Sequence, residues 1–329
     1  ASRPIPAWPV GLVLPWGVLR IQADKAWAHT MGQTVKIGVI DTGIDHTHRD
    51  LRDAVAGGVN LLDPGAPPAD DNGHGTHIAG TIAAAARHAG IIGVAPLASL
   101  YAVKAFDRNG AAYVSDIISG IYWCIANKMD IINMSFGTKR KSKAMQAAIQ
   151  AACRAGIAVI ASSGNEGKSG AVDYPARFAE TIAVGATDRN QQIAAFSNRS
   201  KRIDLYAPGE RIFSAWPGNA YRELSGTSMA TSHVSGIAAL LLAARPQLTP
   251  QRLKTILRKT AGRLGKSGRA GRKAQPGEAN ALAAVRAALA RGHRNRPLKA
   301  RYAVPKKTGP RALRTGTGRT SRTRCRFRP

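Results

Sequence analysis

Acidic residues are scarce in this chain: 19 Asp and Glu stand against 48 Lys and Arg, a formal net charge of +29 over 329 residues. Such an excess draws a protein towards anionic surfaces, whether nucleic acid, envelope polymers or lipid, but says nothing about its fold. Cysteine is nearly absent. Cys124, Cys153 and Cys325 cannot all pair within one chain and match no metal-binding spacing, which excludes a disulfide scaffold and a cysteine metal site. Cys124 and Cys153 fall in helical runs and read as buried apolar residues, with a bond between them as the alternative; Cys325 reads as a free thiol, and the redox compartment stays open. Aromatics are only 5% of the chain. The basic stretch 291–329 has just Tyr302 and Phe327 to stack on bases, which argues against a dedicated nucleic-acid reader. No apolar run approaches the ~20 residues that span a bilayer.

What is present is a large α/β pattern. Strand-like runs at 35–40, 100–105, 131–135, 157–162, 181–185 and 203–206 alternate with helical stretches near 78–86, 114–126, 142–155, 228–244, 249–260 and 278–290. That alternation predicts a mostly parallel central sheet covered by helices. After residue 290 the composition changes. Residues 291–329 hold 14 Lys and Arg and no acid, and residues 245–273 add ten more without an acid. Three readings of the tail stand: a solvated, disordered extension, an electrostatic tether to an anionic surface or nucleic acid, and a self-inhibitory or self-cleaved segment.

Three short segments carry chemistry. Ser225-Gly226-Thr227-Ser228-Met229-Ala230 places Ser228 where a small-residue helix opens, beside unpaired N–H groups and the positive end of a helix dipole. Asp41 ends the strand-like run 35–40, at the carboxyl edge where open α/β sheets place functional groups. His74 lies between Gly73 and Gly75, an imidazole on tight backbone. Singly these read as a turn serine, a cap aspartate and a loop histidine. Together they supply a nucleophile, a base and a carboxylate to orient that base.

The segments at 41–45, 74–80 and 226–230 resemble the three catalytic segments of the subtilisin-family serine proteases, and the similarity runs from about Val13 to Ala290. The resemblance implies a three-layer subtilisin-like α/β fold with helices on both faces of the sheet. It implies an N-terminal extension at 1–12, a peptidase domain at 13–290 and a basic tail at 291–329. It makes Ser228 the nucleophile, His74 the acid/base, Asp41 the orienting carboxylate and Asn165, within Ser163-Gly164-Asn165-Glu166, the oxyanion donor. Ser135-Phe136-Gly137 and Gly110-Ala111-Ala112 become two edges between which a substrate lies as an added β-strand. No cofactor is needed.

Departures from the family pattern matter as much. Asp173 stands where relatives carry a small or neutral residue at the base of the P1 pocket, and Glu166 lies near its rim, with Asp70 and Asp71 towards the P2 side. These acids imply a preference for basic P1 residues; the alternatives are an Asp173 that turns outwards or pairs with Arg177, and a broad degradative enzyme of apolar P1 preference. Asp50 and residues 85–91 match the family's tight calcium site, but Arg87 replaces a neutral ligand and Leu12 aligns with a side-chain ligand. Calcium takes six or more oxygens, so that site is expected to be lost, while secondary calcium sites stay open. Ser232 replaces a proline before His233, which leaves slack behind Ser228. The chain opens on Ala1, and the first twelve residues are too few for a folding propeptide. A cleaved precursor implies a secreted enzyme; the other reading is a cytoplasmic one guarded by its own N-terminus. The expected partners are protein or peptide substrates, and the expected state is a monomer. An inactive polyanion-binding scaffold is the reading from another class.

Overall fold

The computed structural model describes residues 11–86, 89–264 and 276–290, together with the backbone of a strand at 324–326. In chain order, β1 (Leu12–Val13), α1 (Trp16–Arg20) and α2 (Ala23–Ala26) precede β2 (Lys36–Asp41), β3 (Val55–Asn60) and α3 (His74–Ala83). Next come β4 (Gly90–Ile91), β5 (Ser99–Lys104), β6 (Ala111–Tyr113), α4 (Val114–Ala126), β7 (Ile131–Met134) and α5 (Lys143–Arg154). The second half holds β8 (Ala158–Ser162), β9 (Ile182–Thr187), β10 (Leu205–Pro208), β11 (Ile212–Trp216), β12 (Ala220–Leu224) and α6 (Thr227–Ala244). Last are α7 (Pro250–Thr260), α8 (Ala281–Ala290) and β13 (Arg324–Arg326).

Seven strands form one parallel sheet in the order β10-β9-β8-β7-β2-β5-β3. Each is an apolar run because both faces are covered, and the pleat divides its side chains between two cores. Ile37 and Val39 of β2 enter the core shared with α3, α6, α7 and α8, whereas Ile40 enters the one shared with α4 and α5. Ile131 and Ile132 of β7 divide in the same way. The three-layer α/β architecture is therefore as predicted. β2 sits mid-sheet with β5 on one side and β7 on the other, so the strand order reverses there, and Asp41 ends β2 at that crevice.

The helices start where local chemistry allows. Ser142 caps α5 by accepting from the Met145 N–H, and Thr249 caps α7 from Arg252 N–H with Pro250 at its first position. α6 is long and apolar enough by composition to cross a membrane, yet 89% of it is buried inside the protein. It is the core helix, and burial of Leu240 and Leu241 contributes roughly 2 kcal/mol each.

Strand positions match expectation to within a few residues, but the helix expected at 78–86 begins at His74 and ends at Ala83. Gly73, at φ 110°, accepts the first helical bond from His77 N–H, and Ala84 turns extended so that Ala85 N–H can donate to the Asp50 carbonyl. Edge strand β3 and the β11–β12 hairpin had no counterpart in the sequence reading. The possible Cys124–Cys153 bond is absent. Cys124 is a free, buried thiol beneath Gly38, and Cys153 donates to the Glu180 carbonyl. Burial pushes the Cys124 thiol far up and that of Cys153 up to about 11. Leu12 lies in β1, paired with Gly90, so the described domain starts before Val13. Residues 1–10 and most of the basic tail lie outside the described residues.

Candidate active site

His74 is the first residue of α3. The left-handed Gly73 before it packs against Trp216, whose ring occupies the space that a Cβ would need, so only glycine can bring the chain in here. His74 Nδ1 lies 2.8 Å from Asp41 Oδ1, and Asp41 also accepts from the Thr42 N–H at 2.8 Å. Thr42 ties the two segments together: its hydroxyl donates to Asp70 Oδ1 at 2.8 Å and accepts from Gly75 N–H at 3.0 Å. Asp70 then accepts from the N–H groups of Asn72, Gly73 and Thr76 and from the Thr76 hydroxyl. Asp70 and Asp71, expected towards the P2 side, do not line the catalytic cavity. Asp70 is consumed in the turn that presents His74, and Asp71 pairs with Lys104 at 2.6 Å.

Ser228 is the second residue of α6, which starts one residue earlier than expected. Gly226 before it is extended, and its role is proximity: a Cβ there would come within 3.3 Å of Asn165 Nδ2. The Ser228 hydroxyl donates to the Ser135 carbonyl at 2.7 Å, while the Ser135 hydroxyl donates to the Ser228 carbonyl at 3.2 Å. Asn133 locks this clamp by donating to the Ser135 hydroxyl and accepting from Ser235. Asn165 Oδ1 accepts from both the N–H and the hydroxyl of Thr227, at 2.9 and 2.7 Å. With Oδ1 so occupied, Nδ2 is the donor that the amide can offer. Ser232 fills its position by donating to the Met229 carbonyl, to which His233 Nδ1 also donates.

These groups share a cavity of about 560 Å³. His74, Ser228 and Asn165 line it, with Ser135, Phe136 and Gly137 on one wall and Gly110 on the opposite one. Three of the residues expected to contact substrate do not line it. Ser163 lies beneath, its carbonyl taken by the Asp173 N–H and Asn198 Nδ2. Ala111 and Ala112 are buried instead, Ala112 within the core shared with α4 and α5, and along their main chain β13 pairs antiparallel with β6 in the register Arg324↔Tyr113, Cys325↔Ala112, Arg326↔Ala111.

Glu166 and Asp173 do line the cavity, and a residue the sequence reading missed lies between them. Lys139 Nζ is 2.6 Å from Glu166 Oε2 and 2.6 Å from Asp173 Oδ1. In sequence Lys139 opens a Lys-Arg-Lys-Ser-Lys run, indistinguishable from a solvated loop. Asp173 fits because Gly137 and Gly164 flank it; a Cβ on either would stand under 3.0 Å from Oδ2. Arg177, the alternative partner, stacks over Tyr174 instead. Burial alone would raise the Glu166 carboxyl, but hydrogen bonds from Lys139 and Asn198 outweigh it and hold its pKa below the ordinary value. Burial likewise opposes the Lys139 charge, and its two carboxylate bonds overcome that and raise its pKa.

At Asp50 the surroundings are donors. Its carboxylate accepts from Ile91 N–H at 2.9 Å and the Tyr221 hydroxyl at 2.7 Å, with Arg49 at 3.9 Å. Among the described residues the side-chain and N–H groups that reach this carboxylate are donors, whereas a calcium ion needs oxygen acceptors. Arg87, expected to face Asp50, lies outside the described residues. Among the described residues no three His, Cys, Asp or Glu side chains converge as a metal site.

An imidazole oriented by a buried carboxylate, in one cavity with a hydroxyl at a helix start and an amide donor, is a set equipped for nucleophilic acyl transfer. Comparison with known proteins agrees with this geometry. The pattern of the subtilase family matches residues 32–286. The chain is 44% identical over 277 residues to subtilisin Savinase of Lederbergia lenta, which covers 83% of this chain and 99% of the relative. It is 46% identical over 261 residues to subtilisin E of Bacillus subtilis strain 168 (77% and 68% covered), and 43% identical over 258 residues to subtilisin DY of Bacillus licheniformis (77% and 93% covered). The match spans the whole parallel sheet and every segment that builds the cavity: this chain belongs to the subtilase family and is a serine endopeptidase.

Proposed function

We propose that the enzyme cleaves protein or peptide substrates through an acyl-enzyme at Ser228 and prefers Lys or Arg at P1. A substrate strand lies between Gly110 and the 135–137 edge and pairs through main-chain hydrogen bonds. A hydroxyl has one proton, so Ser228 must turn its O–H from the Ser135 carbonyl to His74 before it attacks. His74 takes that proton, held in place by Asp41, and gives it to the leaving amine; Asn165 Nδ2 and the Ser228 N–H receive the oxyanion. Water then releases the acyl group by the same route.

The observation that supports the P1 preference is the ammonium of Lys139 seated between two carboxylates in the wall of the catalytic cavity. The test compares kcat/KM on peptides that differ only at P1, with Asp173→Asn alongside. An advantage of about tenfold for Arg over Phe, ~1.4 kcal/mol in the transition state, that vanishes in Asp173→Asn is the expected result. Phe or Leu leading in both proteins would make this a broad degradative enzyme instead.

Its kinship with subtilisins supports a secreted enzyme, and the donors around Asp50 support the absence of a tight calcium ion there. The basic tail supports attraction to anionic surfaces, which salt-dependent retention on heparin would check.

A further inference from the structure

Lys139 is a cation already seated where a basic substrate side chain would go. Its side chain is 55% exposed, whereas those of Glu166 and Asp173 are 17% and 9% exposed. The carboxylates are the fixed partners: Asn198 holds Glu166, and the Asp173 N–H is tied to the Ser163 carbonyl. The Lys139 main chain is anchored just before it, where Thr138 and Tyr174 exchange N–H···O bonds of 2.8 and 2.9 Å. The mobile member of the trio is therefore the ammonium on its four-carbon stem. Two carboxylates facing one another without a cation would repel. We infer that Lys139 is a tethered competitor for the P1 subsite. It stays bridged between Glu166 and Asp173 when P1 is apolar, and swings into solvent when a substrate guanidinium or ammonium replaces it. A planar guanidinium spans two carboxylates better than a point-like ammonium, so Arg gains more than Lys from the exchange.

This inference rests on the acidic-pocket reading, and the test separates the two. Lys139→Met keeps the stem and removes the charge. In the full chain it should raise the Arg:Phe ratio of kcat/KM about fivefold and tighten inhibition by benzamidine, a P1 cation mimic, to a similar degree. Both gains should vanish in Lys139→Met/Asp173→Asn. If Asp173→Asn abolishes an Arg preference in the parent while Lys139→Met alters neither the ratio nor benzamidine binding, the tethered competitor is wrong and the acidic pocket stands. If the parent shows no Arg preference but Lys139→Met creates one that needs Asp173, the competitor stands and the proposed preference of the parent is wrong.

A second inference stands on backbone alone. β13 runs antiparallel along β6, and from Arg324 to Arg326 it heads towards Gly110, which lines the cavity with His74 and Ser228. A strand laid there takes main-chain groups on the edge expected to hold substrate. We propose that the tail segment around Arg324–Arg326 blocks the cleft in cis until a substrate strand displaces it. Cys325→Pro removes a ladder N–H and restricts φ, and Cys325→Ser controls for loss of the thiol. In intact full-length enzyme, KM for a short peptide should fall several-fold in Cys325→Pro but not in Cys325→Ser. On a Ser228→Ala background, amide exchange at Ala111–Tyr113 should quicken in Cys325→Pro. Unchanged KM together with unchanged exchange would overturn the proposal.

Discussion

At one end of the cleft Asp41, His74 and Ser228 are held by backbone: a strand end, two helix starts, and turns whose N–H groups are gathered by Asp70 and Thr42. At the other end Lys139 comes from the β7–α5 connection and Glu166 and Asp173 from the β8–β9 connection, and the three hold one another mainly by charge. The first arrangement fixes the position and direction of its reacting groups before substrate arrives. The second fixes only a sum of charges and leaves one member free to move. Chemistry needs the former and selection among substrates can use the latter, so damage at the two ends should differ in kind. Changes at the backbone-held end should lower turnover for every substrate, and changes at the charge-held end should alter only the ratio between substrates.

The largest effect should come from Ser228→Ala, which should cut kcat by roughly 10⁶-fold for Arg and Phe peptides alike, a magnitude taken from the subtilisin triad itself. A loss that depended on P1 would break the separation between the two ends.

Acid should attack the backbone-held end next. His77 and His233 lie on α3 and α6, the helices that carry His74 and Ser228, and both are buried. Burial lowers the His77 pKa to about 3 and that of His233 to about 4, against some stabilisation from carbonyls that accept from their ring N–H groups. Both folded values lie below the unfolded value of about 6.5. Their contribution is therefore fully present above pH 6.5 and is lost as pH falls towards 4, where the unfolded chain alone takes up protons. Two such groups weaken the fold by on the order of 5 kcal/mol by pH 4, much of a typical domain's stability. Denaturant melts at pH 7, 5.5 and 4 would show it, and a flat profile would mean that the imidazoles are charged or released in the native state.

Asn165→Ala should follow, lowering kcat about 10²–10³-fold with little change in KM, again a figure from this family. Since Asn165 Oδ1 is already committed to Thr227, Asn165→Asp would keep that contact and lose the donor, so it should be no better than alanine. Recovery of activity in Asn165→Asp would show that positioning of Thr227, not donation to the oxyanion, is what the side chain supplies.

The same division governs what could be read from the chain. Asp41, His74, Ser228 and Asn165 were legible because each sits in a short segment with its own glycines, and the strands because burial on both faces makes them continuous apolar runs. Lys139 was not legible: its role depends on the β7–α5 and β8–β9 connections meeting in space, and its neighbours are Arg140, Lys141 and Lys143. The work of Asp70 was hidden for a related reason. A carboxylate near a catalytic histidine looks electrostatic in sequence, yet four donors of one turn consume it. β13 carries no apolar alternation that would announce a strand, and its pairing is supplied by β6 alone.

Asp50 offers the finest test, because it is a charge at a position where the family pattern leads one to expect an ion. Its carboxyl is buried, and the partners it has found are the Tyr221 hydroxyl and the Ile91 N–H, with Arg49 donating to Tyr221 from outside. Tyr221 is itself braced, edge-on to His48 and stacked with Phe213. A braced hydroxyl can do for this carboxylate what an ion would do elsewhere, and Tyr221→Phe should then cost about 2 kcal/mol by leaving a buried carboxylate short of one bond. Chelator should leave the thermal midpoint and the activity of the parent unchanged. A midpoint that drops on chelation while Tyr221→Phe melts normally would reverse the assignment and make Asp50 a metal ligand. It would also show that this corner, like the far end of the cleft, is held by charge and not by backbone.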